Sequence, residues 1–221
     1  KTAQIGTLGL IADGFNYSHP LTTPDSISLQ KMFFKLNKEK FTHVVMEVSS
    51  HALEQYRVAN IDFNIAVFTN LSPDHLDYHV TMESYYNAKS KLFNMLPINS
   101  TSVINISDVY GKKIAKNITS SMIPFSMDDK NAITFSKLDV SITGISGQII
   151  AGVEKYSIKS NLLGKFNSEN ILAAVSTCHS LGENKKNIEV GIQQVRGVAG
   201  RMEPHIIDNG ATIIIDYAHT P

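Results

Sequence analysis

Val44-Val45-Met46-Glu47-Val48-Ser49-Ser50-His51 and, further on, Ile65-Ala66-Val67-Phe68-Thr69-Asn70-Leu71-Ser72-Pro73-Asp74-His75 decide the fold. Each stretch opens as a short apolar, β-branched run and stops abruptly in polar residues. Runs of that kind read as strands buried on both faces, the kind found in parallel sheets covered by helices. In open α/β sheets ligands bind beyond the carboxyl ends of the strands. Glu47, Ser50 and His75 fall at those ends, and chemistry is expected there.

The flanking chain alternates in the same way. Residues 4–10 read as a strand, followed by a loop rich in Gly, Asn, Pro and Thr as far as Asp25. Asp25 or Ser26 caps a helix to about residue 38, with Ile27, Leu29, Met32, Phe33 and Leu36 on its buried side. A buried strand at 42–48, a short helix at 51–58, a strand at 65–70 and a helix at 82–96 follow. Strand 101–106, helix 109–116 and strand 122–126 continue the pattern. The expected fold class is therefore α/β, a mostly parallel sheet flanked by helices. Three short strands within 132–163, separated by Gly and Ser, add a small β-rich lobe. Helices at 167–181 and 187–195 and two β-like runs at 202–208 and 212–216 complete the chain.

Composition narrows the function classes. Of 221 residues, 43% are apolar and 18% charged, and the 20 basic and 20 acidic residues cancel without forming a block. No nucleic-acid or membrane surface is expected from that balance. The single cysteine, Cys178, has no partner for an internal disulfide, which suits a cytoplasmic setting. No apolar run approaches the length of a membrane span.

Individual residues carry two readings each. Glu47 is either a solvated strand-end acid or one of the few protein oxygens that Mg²⁺ takes beside water and phosphate. His75 and His79, with Asp74 and Asp77 interleaved, have the i, i+4 spacing of a zinc-hydrolase pair if the segment is helical. Pro73 favours a loop or first turn instead, with ordinary hydrogen bonds. Lys89 and Lys91 would each be solvated if judged alone. The chain contains neither a G-x-x-x-x-G-K-[ST] loop nor a G-x-S-x-G elbow.

Taken together, six blocks resemble the Mur ligases, and within them the MurE type, which adds the third amino acid to the muramoyl peptide of the bacterial cell wall. They are Met46–Leu53 with Gln55-Tyr56-Arg57-Val58, Thr69–His79, Tyr86-Asn87-Ala88-Lys89, Gly164–Asn170, Gly200-Arg201-Met202-Glu203 and Asp216-Tyr217-Ala218-His219-Thr220-Pro221. The resemblance implies that Glu47 and His75 bind Mg²⁺ and that Lys89 is carried as a carbamate, a long-armed anion helping to hold a second Mg²⁺. It implies that Thr22, Thr23, Ser50, Gln55 and Arg57 hold the UDP-muramoyl dipeptide. Asn170 would lie near the adenine of ATP, Arg201 near its phosphates and Asp216 near its ribose. Leu21 stands where the family carries Asn, a departure at one substrate contact.

The implied reaction is ATP-driven amide formation through an acyl phosphate, joining diaminopimelate or lysine to UDP-MurNAc-L-Ala-D-Glu. The resemblance further implies a monomeric cytoplasmic enzyme and a chain that is a fragment. Residues 1–200 would be the central ATPase domain without its upstream phosphate-binding loop, and 201–221 the start of a Rossmann-like domain. Such a fragment is expected to bind ATP poorly and not to turn over. The rivals are a related ligase of the folylpolyglutamate synthetase kind, a metal-dependent hydrolase using Asp74, His75, Asp77 and His79, and a binding domain that has kept the fold.

Overall fold

The computed structural model describes residues 1–208 and 211–218, as two compact units: 1–64 with 72–97, and 65–71 with 98–221.

The first unit is built on a four-stranded sheet. Strands β1 (Thr2–Gly6), β2 (Gly9–Ala12), β3 (Phe15–Tyr17) and β4 (His43–Met46) lie in the order β3-β2-β1-β4. β1 runs parallel to β4, with Ile5 opposite Met46, and antiparallel to β2. The expected single strand at 4–10 is thus two strands. Gly9 makes the reversal possible: its φ is +89°, and a Cβ there would meet the Tyr17 carbonyl oxygen at 2.4 Å. Part of the segment read as loop is strand for the same reason, because Asp13 and Gly14 are the turn residues of a hairpin and Asn16 lies in its second strand, opposite Ile11.

Helix α1 (Ser26–Lys38) starts at Asp25, whose carboxylate accepts hydrogen bonds from the Ser28 amide at 3.0 Å and hydroxyl at 2.6 Å. Those bonds hold the Asp25 carboxyl below its usual range. Leu29, Met32 and Leu36, one helical stripe, join Ala3, Ile5, Leu10, Leu53 and Val58 in the core of this unit. Phe33 packs against that core, but Ile27, expected beside it, is 67% exposed. β4 also departs from expectation. Its apolar run suggests burial on both faces, yet among the described residues it is the edge strand of this sheet and Val45 is 63% exposed. Hydropathy alone does not distinguish a central strand from an apolar edge. Helices α2 (Ser50–Glu54), α3 (Leu76–His79) and α4 (Met82–Asn94) complete the unit; α2 ends four residues sooner than expected.

The second unit contains the parallel sheet of β5 (Ile65–Phe68), β6 (Thr101–Asn105) and β7 (Ser121–Phe125), in that order. Helix α5 (Val109–Ala115) connects β6 to β7, capped by Asp108, which accepts the Tyr110 and Gly111 amides at 2.7 and 3.0 Å. The β-rich segment is a meander of β8 (Thr134–Ser141), β9 (Gly144–Ala151) and β10 (Glu154–Ser160), all antiparallel. It is less separate than the sequence suggests. Ile145, Ile149, Tyr156 and Ile158 share one core with Val103 and Phe125 of the parallel sheet and with Ile171, Leu172 and Val175 of helix α6 (Phe166–Ser180). Helix α7 (Lys185–Gln194) adds Ile188. Cys178 packs at the margin, and burial raises its thiol pKa. The hairpin of β11 (Glu203–Ile206) and β12 (Thr212–Ile215) follows. Residues 219–221, the end of the last recognised block, lie outside the described residues.

Candidate functional site

Pairing of β1 with β4 places Glu47 beside Gly6, and the Glu47 amide donates to the Ile5 carbonyl at 2.9 Å. The Glu47 side chain then lies across Gly6, where a Cβ would sit 2.4 Å from Oε1. Its other oxygen, Oε2, accepts from the Thr7 hydroxyl at 2.9 Å, and Thr7 Oγ1 lies 3.1 Å from Thr22 Oγ1. Residues 7, 22 and 47 thus meet from three separate segments. Neither Gly6 nor Thr7 is part of any recognised block; both fall within the single strand read at 4–10, and only the pairing of β1 with β4 gives them Glu47 as a partner.

The other residues expected to hold substrate gather around the same strand end. Thr23 is fully buried; its hydroxyl donates to the Glu47 carbonyl at 2.8 Å and accepts from the Ser49 amide at 2.9 Å. Its carbonyl receives Arg57 Nη1 at 2.8 Å, while Arg57 Nε donates to Gln55 Oε1 at 3.0 Å. Tyr56, between them, has φ +56°, the left-handed turn that lets Gln55 and Arg57 face each other. Ser49 caps α2 by accepting from the Ala52 amide. Ser50 is 1% exposed, and its hydroxyl lies 2.8 Å from His79 Nε2.

That bond answers one question left by the sequence. His75 and His79 serve different partners. His79 is buried against Ser50, whereas the exposed His75 faces Asp74, at 3.6 Å between Nε2 and Oδ2. The short helix α3 between them is bracketed by positive φ at His75 (+55°) and Val80 (+65°), the latter strained for a β-branched residue. A group of aromatic rings surrounds the two histidines. His51 lies 5.1 Å from His75, 4.2 Å from Tyr78 and 5.5 Å from His79, and Tyr85 stacks on His79 at 4.9 Å. Desolvation, and then neighbouring histidines, lower the pKa of His51 and His79.

Lys89 Nζ sits over the Tyr85 ring at 5.6 Å, and His75 meets the same ring edge-on at 5.8 Å. Burial lowers the Lys89 pKa against the opposing pull of Asp74, which favours the neutral amine that carbamate formation requires. Lys91 behaves differently: it is ion-paired with Glu54, and that bond raises its pKa. It remains partly solvated, as expected, and gains a specific partner at the surface. Among the described residues no three or more His, Cys, Asp or Glu side chains group as a self-sufficient metal site. A cation that keeps waters and substrate oxygens in its shell fits such a sparse protein donor set better than a tetrahedral zinc does.

The three residues expected near nucleotide belong to the second unit. Asn170 is exposed on α6 and donates to Asn167 Oδ1 at 2.9 Å. Asp216 accepts from the Met202 amide at 2.7 Å, and the Arg201 guanidinium lies over Tyr217 at 5.8 Å. The β11–β12 hairpin thereby brings Arg201 and Asp216 together across 15 positions, while Asn170 stands apart in sequence on the helix. At the carboxyl ends of β5 and β6, Asn105 ties the Thr69 carbonyl to Glu169, at 2.7 and 3.2 Å. Asp108 also accepts the Leu71 amide at 3.1 Å. These joints are absent from the sequence reading, which places residue 105 inside a strand at 101–106 and gives neither Asn105 nor Asp108 a partner.

An α/β chain with polar residues from several segments gathered at a parallel strand end is a ligand-binding fold of the kind that hosts phosphate chemistry. The Mur ligase middle domain matches residues 1–178, and the chain belongs to the Mur ligase family. It is 39% identical to the UDP-N-acetylmuramoyl-L-alanyl-D-glutamate--2,6-diaminopimelate ligase of Geobacter metallireducens over 99% of this chain and 44% of the relative. The Pseudomonas putida protein of the same name is 40% identical, over all of this chain and 46% of the relative. A solved structure carrying that ligase name superposes with a TM-score of 0.85 at 32% identity, covering 99% of this chain and 45% of the other. The chain spans less than half the length of these relatives.

Proposed function

We propose that this chain is the central part of a cytoplasmic, monomeric ligase of the MurE type, which adds diaminopimelate to UDP-MurNAc-L-Ala-D-Glu in peptidoglycan synthesis at the expense of ATP. The observation that carries the reading is the meeting of Thr22, Thr23, Gln55 and Arg57 with Glu47 at one strand end, in the same unit as a desolvated Lys89. The relatives' shared name supports diaminopimelate over lysine. Residues 1–200 would form the central domain, and 201–221 would begin the next.

In this reading the D-glutamyl side-chain carboxylate attacks the γ-phosphorus of ATP, the bond to the bridging oxygen breaks, and ADP leaves with that electron pair. The acyl phosphate is then attacked by the amine of the incoming amino acid. The tetrahedral adduct loses a proton and expels phosphate, and the amide remains. Phosphoryl transfer needs positioning and charge neutralisation more than covalent help from the protein. Glu47, His75 and carbamylated Lys89 would hold Mg²⁺, which supplies that neutralisation when bound. Thr22, Ser50, Gln55 and Arg57 orient the dipeptide, with the Arg57 fork suited to an anionic group. Asn170, Arg201 and Asp216 receive the nucleotide.

His79 speaks against the hydrolase alternative, since its Nε2 is engaged by Ser50 rather than available beside His75. The test is phosphate release by the full-length protein given ATP, Mg²⁺ and the UDP-linked dipeptide, with diaminopimelate or lysine added separately. Release that requires both the dipeptide and diaminopimelate is expected. Absence of release with either amino acid would overturn the reading, and ATP hydrolysis by residues 1–221 alone would overturn the fragment's expected inactivity.

A further inference from the structure

Thr7 lies outside every recognised block, yet its hydroxyl touches the two residues that the proposed function assigns to different tasks. It is 2.9 Å from Glu47 Oε2 and 3.1 Å from Thr22 Oγ1. A hydroxyl has one proton and two lone pairs, whereas an ionised carboxylate only accepts. Thr7 must therefore donate to Glu47. Its remaining lone pairs can only accept, so the proton between Thr7 and Thr22 comes from Thr22. The result is a directed chain, Thr22 to Thr7 to Glu47, in which the carboxylate sets the sense of both hydroxyls. Thr22 is left with its lone pairs toward a ligand and should favour a donor, such as a peptide N–H or sugar O–H, over a bare anion.

Two further features show that the carboxylate is placed rather than merely solvated. The Glu47 amide is bonded to the Ile5 carbonyl, which fixes the backbone from which the side chain departs. The carboxylate also occupies space that any side chain at position 6 would take, since a Cβ on Gly6 would lie 2.4 Å from Oε1 and 2.7 Å from Cδ. The β1–β2 turn thus supplies both the opening, at Gly6, and the hydroxyl, at Thr7.

We propose that Thr7 is a positioning residue that holds the Glu47 carboxylate and passes its polarity to Thr22, coupling the cation-facing group to the dipeptide contact. The coupling rests on the ligase reading above; the hold on Glu47 does not. Thr7→Val keeps the shape and removes the hydroxyl, and Thr7→Ser restores it. The full-length protein is used, with Mn²⁺ as the spectroscopic probe of cation binding and the free ion counted by electron paramagnetic resonance.

Thr7→Val is expected to weaken Mn²⁺ binding and raise KM for the dipeptide, each by about three- to tenfold, the scale of the net contribution of one hydrogen bond at an accessible site. KM for the incoming amino acid and the melting temperature should stay as in the parent, and Thr7→Ser should recover both losses. In Thr7→Val/Thr22→Val the dipeptide effect should not multiply, because both changes cut one chain. Unchanged Mn²⁺ binding in Thr7→Val, or failure of Thr7→Ser to recover it, would overturn the hold on Glu47. Multiplying dipeptide effects would overturn the coupling. If the parent releases no phosphate with the dipeptide, the ligase reading and the coupling fall; Mn²⁺ binding that Glu47→Gln weakens still reports on Glu47 and decides whether Thr7 holds it.

Discussion

The two units end parallel strands in polar residues, but they use those residues differently. At the end of β4 in the first unit, Glu47, Thr7, Thr22, Thr23 and Arg57 tie loops to one another while Glu47, Gln55 and the edge of β4 itself stay exposed. At the ends of β5 and β6 in the second unit, Asn105 and Asp108 close on backbone groups and cap a helix. Behind them lies a continuous apolar core shared by sheet, meander and helices. A strand end is therefore a place where polar groups collect, and what they do depends on whether their bonding capacity is satisfied internally or left facing outward.

That contrast predicts that changes at the end of β4 and at Lys89 are read mainly in activity, and changes at the ends of β5 and β6 or in the core behind them mainly in stability. In the full-length protein Lys89→Ala should have the largest effect, lowering kcat for phosphate release by about 10²–10³-fold, as removal of a charge-stabilising group does. Its thermal midpoint should move little. A variant that retained full activity would break the comparison at its centre. Leu172→Ala in the core of the second unit should cost about 2–5 kcal/mol in denaturant unfolding, the range for a truncated buried leucine. The active fraction that remains folded should keep the parent's KM values.

Gly6→Ala sharpens the distinction, because it adds one methyl group and nothing polar. The contact at 2.4 Å from Glu47 Oε1 must be relieved by moving the carboxylate. Mg²⁺ dependence should shift to higher concentration by about tenfold while stability changes by about 1 kcal/mol. Asp108→Ala should do the reverse, costing about 0.5–2 kcal/mol as a lost helix cap with KM values unchanged.

The smallest effect is at Asp25. Its folded pKa lies below 3.8 because the Ser28 bonds favour the charged carboxylate. The contribution is therefore complete above about pH 3.8 and is lost as pH falls through the lowered folded value. The melting-temperature gap between the parent and Asp25→Ala should narrow across that window. A gap that widened in acid would reverse the sign of the argument.

Much of this was legible in the linear chain. The alternation of strand and helix from 42 to 126, the three-stranded meander and the helix at α6 follow from apolar periodicity and turn residues, which act over a few positions. The blocks around Glu47, His75 and Lys89 likewise identify the family, as the match over residues 1–178 shows. The errors fall where local composition is ambiguous. Gly9 reads as the interior of one strand but begins a second after a reversal, Gly14 reads as loop but turns a hairpin, Val44 and Val45 read as buried but lie on an edge of the described sheet, and Ile27 reads as core but faces solvent.

Residue order determined which segments become strands, which acids cap helices and which family the chain belongs to, because those depend on neighbours one to four positions away. Tertiary structure alone decided that Gly6 makes room for Glu47, that Thr7 joins Glu47 to Thr22, and that His79 turns to Ser50 instead of pairing with His75. Those contacts span 15 to 41 positions. A hydrogen bond has no sequence signature at that range, since it exists only after strand pairing and core packing have brought its two ends within about 3 Å.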